Sequence, residues 1–369
     1  MIFSDSNDRL VLNTEIDQTR VSSMIYPGSQ ADLHDSFPPD APKSCKEPSS
    51  VIRDVKPDAI SDFQWLQDLG TGAFAQVDMV EFKGKVYARK TFKVAGDMNR
   101  ARQSFKTEVS ILKKLSEHRH QHIVHFVDAF TCEEKKKLYL IMFPAANQGN
   151  LQQYLRRIYN DHGVLADDAK LFLRGAIQGL ARGLAFIHKT TIRHKDISPL
   201  NILIHNGLVL YADFGVAFDF CAAKTSTTES VHPQYNFQYA APELLERQSR
   251  NHKSDVFSLG CIYFEIIARY LGEADLKVQT VYEDGIAYGL PESVDKLQEV
   301  GRYSMMGDLC GSMLRKERDA RPSATQVESG IVDLEEKVEM RPTSELRFFT
   351  STSSWYQQNQ TVSYLIGGT

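Results

Sequence analysis

The segment from Ile192 to Gly215 constrains this chain more than any other part of its sequence. Four polar residues, His194, Asp196, Asn201 and Asp213, stand at intervals within a run that is otherwise rich in Ile, Leu and Val. The pattern predicts short buried strands that carry loop residues into a cleft. Burial of an unpaired carboxylate is costly, so two Asp side chains in apolar surroundings indicate a site that needs charge. The simplest such site holds a divalent cation such as Mg²⁺, with oxygen ligands from Asp213 and the Asn201 amide.

The same segment resembles the catalytic core of eukaryotic protein kinases. That family's motifs H-R-D-L-K-P-x-N and D-F-G stand here as H-K-D-I-S-P-L-N at 194–201 and D-F-G at 213–215. A lone D-F-G would mean little, but two motifs in the family's order and at its distance are far more specific. The resemblance implies that Asp196 is the catalytic base and that Asn201 and Asp213 are magnesium ligands.

The resemblance implies an α+β fold of the bilobal protein-kinase type. A small N-lobe with an antiparallel sheet and one long helix, residues 61–146, would precede a larger and mainly helical C-lobe, residues 147–335. Residues 1–60 are rich in Pro, Ser and Asp. They are predicted to form a disordered N-terminal tail because they bury little apolar surface. Residues 336–369 are expected to form a second tail.

A glycine-rich turn between two predicted strands follows the N-terminal tail. It resembles the family's G-x-G-x-x-G-x-V, with Ala75 in place of the third glycine. Glycines let backbone amides approach phosphate oxygens closely, although a simple hairpin would explain this run about as well. The nucleotide contacts that the resemblance implies here are Leu69, Gly70, Thr71, Gly72, Ala73, Phe74, Ala75 and Val77.

Lys90 ends a strand that stands where the family has V-A-I-K. Strand alternation places Ala88 and Lys90 on one face. The resemblance therefore implies that Lys90 contacts the α- and β-phosphates of ATP while Ala88 covers the adenine. A solvated lysine at a strand end is the alternative. Glu108 lies beside an apolar stripe of helical spacing and is the predicted ion-pair partner of Lys90.

Further adenine contacts are implied at the end of the next predicted hairpin. Met142 would stand at the back of the adenine pocket. The backbone of Phe143 and Ala145 would form the hinge that hydrogen-bonds the adenine edge, and Pro144 between them lacks an N–H that the hinge does not need. Leu203 completes the set of implied nucleotide contacts.

Three later motifs extend the resemblance over residues 63–330. A-P-E at 241–243 matches the end of the family's activation segment. D-V-F-S-L-G opens an apolar helix, and its Asp255 is expected to bond backbone amides of the catalytic loop. R-P-S-A begins at Arg321, which the resemblance pairs with Glu243.

Three departures from the family pattern lie near the predicted catalytic centre. Ser198 replaces a Lys that touches the transferred phosphoryl group, and Asn236 replaces its Thr partner. Lys195 replaces an Arg, and lysine cannot make the bidentate fork to phosphate. The Ser and Thr residues of 225–230 could therefore carry an ordering phosphate or be ordinary loop composition.

The predicted function is an ATP-dependent protein kinase that uses Mg²⁺ and phosphorylates Ser or Thr of protein substrates. A pseudokinase, which binds nucleotide or partners without useful turnover, is the alternative that the three departures favour. Tyrosine kinases also lack this Lys, but they carry other residues near Pro199 that are absent here. A-P-E and R-P-S-A disfavour a small-molecule phosphotransferase.

Composition excludes several other classes of protein. The net charge of −4 does not suggest nucleic-acid binding. No apolar run approaches the ~20 residues of a membrane span. The five cysteines are scattered without a C-x-x-C pair, which argues against a zinc site or a disulfide framework. An intracellular protein, cytoplasmic or nuclear, is expected. The sequence leaves the oligomeric state open.

Overall fold

A mixed sheet and a mainly helical region share one large hydrophobic core. The structure is a computed structural model. It describes residues 52–72, 75–93, 98–158, 165–220, 237–246, 248, 251–271 and 304–339. Residues 1–51, the Ser/Thr cluster at 225–230 and residues 340–369 lie outside the described part of the chain.

The N-lobe contains six strands and two helices within its described residues. Its elements are β1 (Arg53–Asp54), α1 (Pro57–Ser61), β2 (Gln64–Thr71), β3 (Ala75–Phe82), β4 (Lys85–Phe92), α2 (Met98–Ser116), β5 (His125–Cys132) and β6 (Lys137–Phe143). The strands form one sheet in the order β1-β5-β6-β4-β3-β2. All neighbouring strands are antiparallel except β1 and β5, which are parallel.

The C-lobe is mainly helical, with two small strand pairs. Its described elements are α3 (Leu151–Arg157), α4 (Asp167–Lys189), β7 (Ile192–Arg193), β8 (Ile202–His205), β9 (Leu208–Tyr211), β10 (Phe218–Asp219), α5 (Pro242–Leu245), α6 (Lys253–Leu271), α7 (Ser304–Met313) and α8 (Ala324–Glu339). Strand β8 pairs with β9, and β7 pairs with β10. This arrangement confirms the expected α+β, bilobal fold. Among the described residues, no helix is both long enough and apolar enough to cross a membrane.

Helix α2 packs one apolar face into the core that it shares with β5 and β6. The stripe predicted from helical spacing is buried, and its members are Phe105, Val109, Leu112 and Leu115. Burial of each such side chain contributes about 1.5–3 kcal/mol. A second apolar cluster, around Tyr87, Phe130 and Ile141, includes Ile60 of α1.

Ordered structure begins earlier than the sequence predicted. The prediction places every residue up to 60 in a disordered tail, whereas β1 and α1 belong to the folded N-lobe. Arg53 forms an ion pair with Asp128 of β5. The carboxylate of Asp54 accepts a hydrogen bond from the Thr131 hydroxyl at 2.9 Å. The boundary was wrong because these few specific contacts, which composition does not reveal, fix the strand.

Asp255, near the start of α6, anchors the loop that follows β7. Its carboxylate accepts hydrogen bonds from the backbone amides of His194 and Lys195, each at 2.9 Å. His188 of α4 lies 3.0 Å from the same carboxylate through Nε2. The expectation that Asp255 bonds backbone amides of this loop is therefore confirmed.

Glu243 and Arg321 form the buried ion pair that the sequence predicted. Arg321 donates from Nη1 and Nη2 to the two carboxylate oxygens of Glu243, at 2.9 and 2.8 Å. Burial alone would raise the pKa of Glu243, but the Arg321 guanidinium holds it below its usual value. The pair joins α5 to the loop before α8.

Arg321→Ala should lower the free energy of unfolding by about 3–5 kcal/mol, because it leaves the buried Glu243 charge without its partner. Urea unfolding followed by circular dichroism measures this loss. Lys170→Ala is the control, since it breaks an exposed ion pair with Asp167 and should cost less than about 1 kcal/mol. Equal losses in the two variants would contradict this account of the buried pair.

Candidate active site

Lys90 lies between two carboxylates where the sheet meets the helical region. Its Nζ is 2.7 and 2.9 Å from the two carboxylate oxygens of Glu108 and 2.9 Å from Oδ1 of Asp213. Lys90 and Glu108 are buried, whereas the Asp213 side chain is 52% exposed. The structure therefore contains the Lys90–Glu108 pair that the sequence predicted and adds a direct contact with Asp213.

Three different elements bring these side chains together. Lys90 stands on β4, which is held between β3 and β6. Glu108 projects from the middle of α2, and Asp213 follows β9 with φ 58°, in the left-handed region that Asp tolerates better than most residues. A Cβ on Gly215 would come within 3.2 Å of Asp213 Oδ1 and 3.3 Å of Glu108 Oε2. Position 215 therefore favours glycine, because the Asp213 and Glu108 carboxylates leave little room there for a Cβ.

One ammonium group shared by two carboxylates sets the electrostatics of this site. Burial favours the neutral amine of Lys90, but Asp213 and Glu108 together raise its pKa well above the usual value. Burial raises the pKa of Glu108 to about 7, against the opposing effect of Lys90. Lys90 lowers the pKa of the more exposed Asp213. Lys90 therefore stays protonated between the two carboxylates.

The loop between β7 and β8 holds Asp196 and Asn201 as one hydrogen-bonded unit. Asn201 donates from Nδ2 to both the backbone oxygen and Oδ2 of Asp196, each at 2.8 Å. The Ala212 amide donates to the Asn201 carbonyl at 2.9 Å, which ties this unit to the residue before Asp213. His194 is fully buried, and its Nε2 lies 3.0 Å from the Ala212 carbonyl oxygen.

The donor set around Asp213 and Asn201 fits Mg²⁺. Because Nδ2 of Asn201 is committed to Asp196, the amide oxygen is the atom left for a metal. Asp213 contacts Lys90 through Oδ1, which leaves Oδ2. Within the described residues, no three His, Cys, Asp or Glu side chains gather as a metal site. Two protein oxygens are nonetheless sufficient for Mg²⁺, which commonly takes its other ligands from substrate phosphates and water.

Most of the residues implied to contact nucleotide lie on β2, β3, β4, β6 and β8 in the described part of the chain. Ala88 and Met142 face each other as partners of β4 and β6. The N–H of Ala145 has no acceptor among the described residues. Strands β2 and β3 and the turn between them contain Leu69, Gly70, Thr71, Gly72, Ala75 and Val77. Leu203 lies in β8. Ala73 and Phe74 lie outside the described residues.

The departures from the family pattern occupy distinct environments. Ser198 is buried and precedes the short 3₁₀ helix Pro199–Asn201. Lys195 has φ 69°, and its Nζ lies 5.9 Å from the centre of the Phe218 ring. Asn236 falls outside the described residues.

One contact between α2 and β10 had no counterpart among the sequence predictions. Lys114 of α2 forms an ion pair with Asp219 of β10 and a hydrogen bond with Thr191. In the sequence, Lys113 and Lys114 look like the basic residues that commonly end a helix. No local signal pointed to a partner that lies more than a hundred residues away.

Comparison with known proteins gives one family match. The family model described as "Protein kinase domain" matches residues 63–330. Cyclin-dependent kinase-like 2 of Rattus norvegicus is 29% identical over 223 residues, which cover 56% of this chain and 39% of the relative.

Two plant proteins are similar at the same level. The serine/threonine-protein kinase VIK of Arabidopsis thaliana is 29% identical over 243 residues, 62% of this chain and 50% of that protein. The mitogen-activated protein kinase kinase kinase YODA of the same plant is 27% identical over 272 residues, 70% of this chain and 28% of that protein. The chain thus spans half or less of the length of these relatives.

The raised pKa of Glu108 predicts a specific pH dependence of stability. Its carboxyl has a pKa of about 7 in the folded protein against a reference value of 4.5. The folded state therefore binds this proton more tightly than the unfolded chain. The resulting stabilisation is complete below pH 4.5 and is lost as the pH rises through 7.

The test compares wild type with Glu108→Gln, which keeps the size of the side chain but cannot ionise. The unfolding free energy of wild type minus that of the variant should fall from about pH 5 to about pH 8. Denaturant unfolding at each pH measures the difference. Glu117→Gln, at an exposed position just after α2, is the matched control. A difference that stays flat or rises would contradict the raised pKa.

Proposed function

Because the chain belongs to the protein kinase family, we propose that it is an active enzyme that transfers the γ-phosphoryl group of Mg-ATP to serine or threonine hydroxyls of protein substrates. The observation that carries this proposal is the assembled cluster of Lys90, Glu108 and Asp213, with Asp196 and Asn201 joined beside it. A protein that only serves as a binding surface has no need of all five side chains in these relative positions.

Each side chain has a role that follows from its position. Asp196, oriented by Asn201, would accept the proton of the substrate hydroxyl. Lys90, oriented by Glu108, would contact the α- and β-phosphates. Asn201 and Asp213 would hold Mg²⁺, which neutralises charge on the phosphates. Positioning and charge neutralisation supply most of the catalysis in this chemistry.

The nucleotide base would bind between the two lobes at the end of β6. Ala88 would cover the adenine, and Met142 would close the back of its pocket. The buried Ala145 amide supports this placement, since an N–H without an acceptor in the described residues suits the adenine edge.

Serine or threonine is the better candidate acceptor. The relative VIK is named a serine/threonine-protein kinase, and the motif that follows Asp196 lacks the residues that tyrosine kinases carry near Pro199. The protein substrate itself would be recognised by surfaces that the catalytic motifs do not define.

A pseudokinase is the second candidate, and Ser198 is the observation that favours it. Serine carries no charge to stabilise the transferred phosphoryl group, and its side chain is buried. Loss of such a cation costs on the order of 100-fold in rate. A protein of this second kind would bind nucleotide without useful turnover.

Asp196→Ala should reduce phosphate transfer to a generic protein substrate by about 100-fold or more, because it removes the proton acceptor. Incorporation of labelled phosphate from Mg-ATP measures the rate. Asp167→Ala, at an exposed position in α4, is the control and should retain activity. Equal incorporation by wild type and Asp196→Ala would reject the proposal. Nucleotide binding by wild type without turnover would support the pseudokinase instead.

Ser198→Lys should raise the rate of phosphate transfer by about tenfold if the missing cation limits the enzyme. The lysine stem would have to extend from this buried position so that its ammonium reaches the cleft. Ser198→Met matches the lysine in length without its charge and should give no gain. An increase with methionine as large as that with lysine would show that charge is not the limiting factor.

A further inference from the structure

Lys114, in the last turn of α2, joins that helix directly to the segment after β9. Its Nζ donates to Oδ2 of Asp219 at 2.6 Å and to the Thr191 hydroxyl at 2.8 Å. The Thr191 hydroxyl in turn donates to Oδ1 of Asp219 at 3.0 Å. A hydroxyl can accept one hydrogen bond while it donates another, so the three side chains close a complete triangle. We call these three residues the Lys114 clasp.

The backbone of Thr191 is strained at this point. Its φ is 62°, a conformation that is a clear outlier for a β-branched residue. In that conformation the Thr191 carbonyl accepts a hydrogen bond from the Phe220 amide at 3.0 Å. Strain of this kind persists only where the surrounding structure imposes it. Both the hydroxyl and the carbonyl of Thr191 are therefore used to hold the end of β10.

The Lys114 clasp and the cluster of Lys90, Glu108 and Asp213 both link α2 to the segment that follows β9. Lys114 follows Glu108 by six residues on α2, which is about 9 Å along the helix axis. Asp219 follows Asp213 by six residues on the other segment. Apolar packing holds α2 against the sheet, and the clasp adds a second polar attachment between this helix and the segment after β9. The clasp therefore fixes the orientation in which Glu108 reaches Lys90.

We propose that Lys114, Thr191 and Asp219 are positioning residues that keep α2 in the catalytic arrangement. This inference rests on the proposed phosphoryl transfer. The Lys114 and Asp219 side chains are 33% and 24% exposed, so their ion pair adds little to global stability. A coupling free energy as small as that of an exposed ion pair is nevertheless enough to shift the equilibrium between two positions of α2 by about fivefold.

The test compares Lys114→Met with Lys106→Met in the full chain. Lys106 lies on an exposed part of the same helix, so its variant is the matched control. Lys114→Met should raise the KM for ATP and lower kcat/KM by about fivefold. It should also speed amide hydrogen exchange across residues 98–116. Lys106→Met should stay within about twofold of wild type in both measurements.

A charge swap distinguishes positioning from simple loss of packing. Lys114→Glu and Asp219→Lys should each impair ATP use, and their combination should restore at least half of the lost kcat/KM. A double variant no better than the single ones would overturn the proposal. Unchanged exchange of α2 and unchanged KM in both Lys114→Met and Asp219→Asn would overturn it as well.

Failure of the proposed function gives a different pattern. If wild type binds ATP but transfers no phosphate, the active-enzyme proposal fails while the clasp is still measured. Hydrogen exchange of α2 and the dissociation constant for ATP then replace the kinetic readout. Faster exchange and a dissociation constant about fivefold higher in Lys114→Met alone would support the clasp, and no change in either would overturn it.

Discussion

The ammonium of Lys90 can be buried only because two carboxylates meet it. An unpaired charge in this position would be costly enough to neutralise itself or open the structure. The partners come from α2 and from the turn after β9, so the contact requires that three separate elements reach their places together. The rest of the fold can be understood as the support that holds each of those elements within hydrogen-bonding distance.

On the C-lobe side that support is a network of buried hydrogen bonds. Burial works against ionisation of Asp255, yet His188 and the amide of Lys195 help to lower its pKa to about 2. The ionised carboxylate therefore persists at neutral pH and holds the backbone before Asp196. Asn201 then holds Asp196 through one hydrogen bond to its backbone oxygen and one to its carboxylate. Buried hydrogen bonds of this kind restrict the loop between β7 and β8 to one geometry.

The sequence predicted those parts of the site that lie in short motifs. The Lys90–Glu108 pair, the Glu243–Arg321 pair and the anchoring role of Asp255 were all implied by the resemblance of their motifs to those of protein kinases, and the structure contains these contacts. Two features lacked such a signal. The strand at Arg53 depends on partners about 75 residues away. The composition of residues 1–60 gives no sign of those contacts. The Lys114 contacts depend on the path of the chain after β9, which no local pattern encodes.

The two sides of the site are held by different kinds of interaction. Helix α2 packs on the sheet through an apolar stripe, and apolar contact is non-directional, so it permits small shifts. Among the described residues, the Lys114–Asp219 ion pair joins this helix to β10, and Glu108 is linked to the turn after β9 through Lys90. The loop between β7 and β8 has less freedom because hydrogen bonds to the buried Asp255 hold its backbone. The position of α2 is therefore expected to respond to the loss of one charge without unfolding of the core.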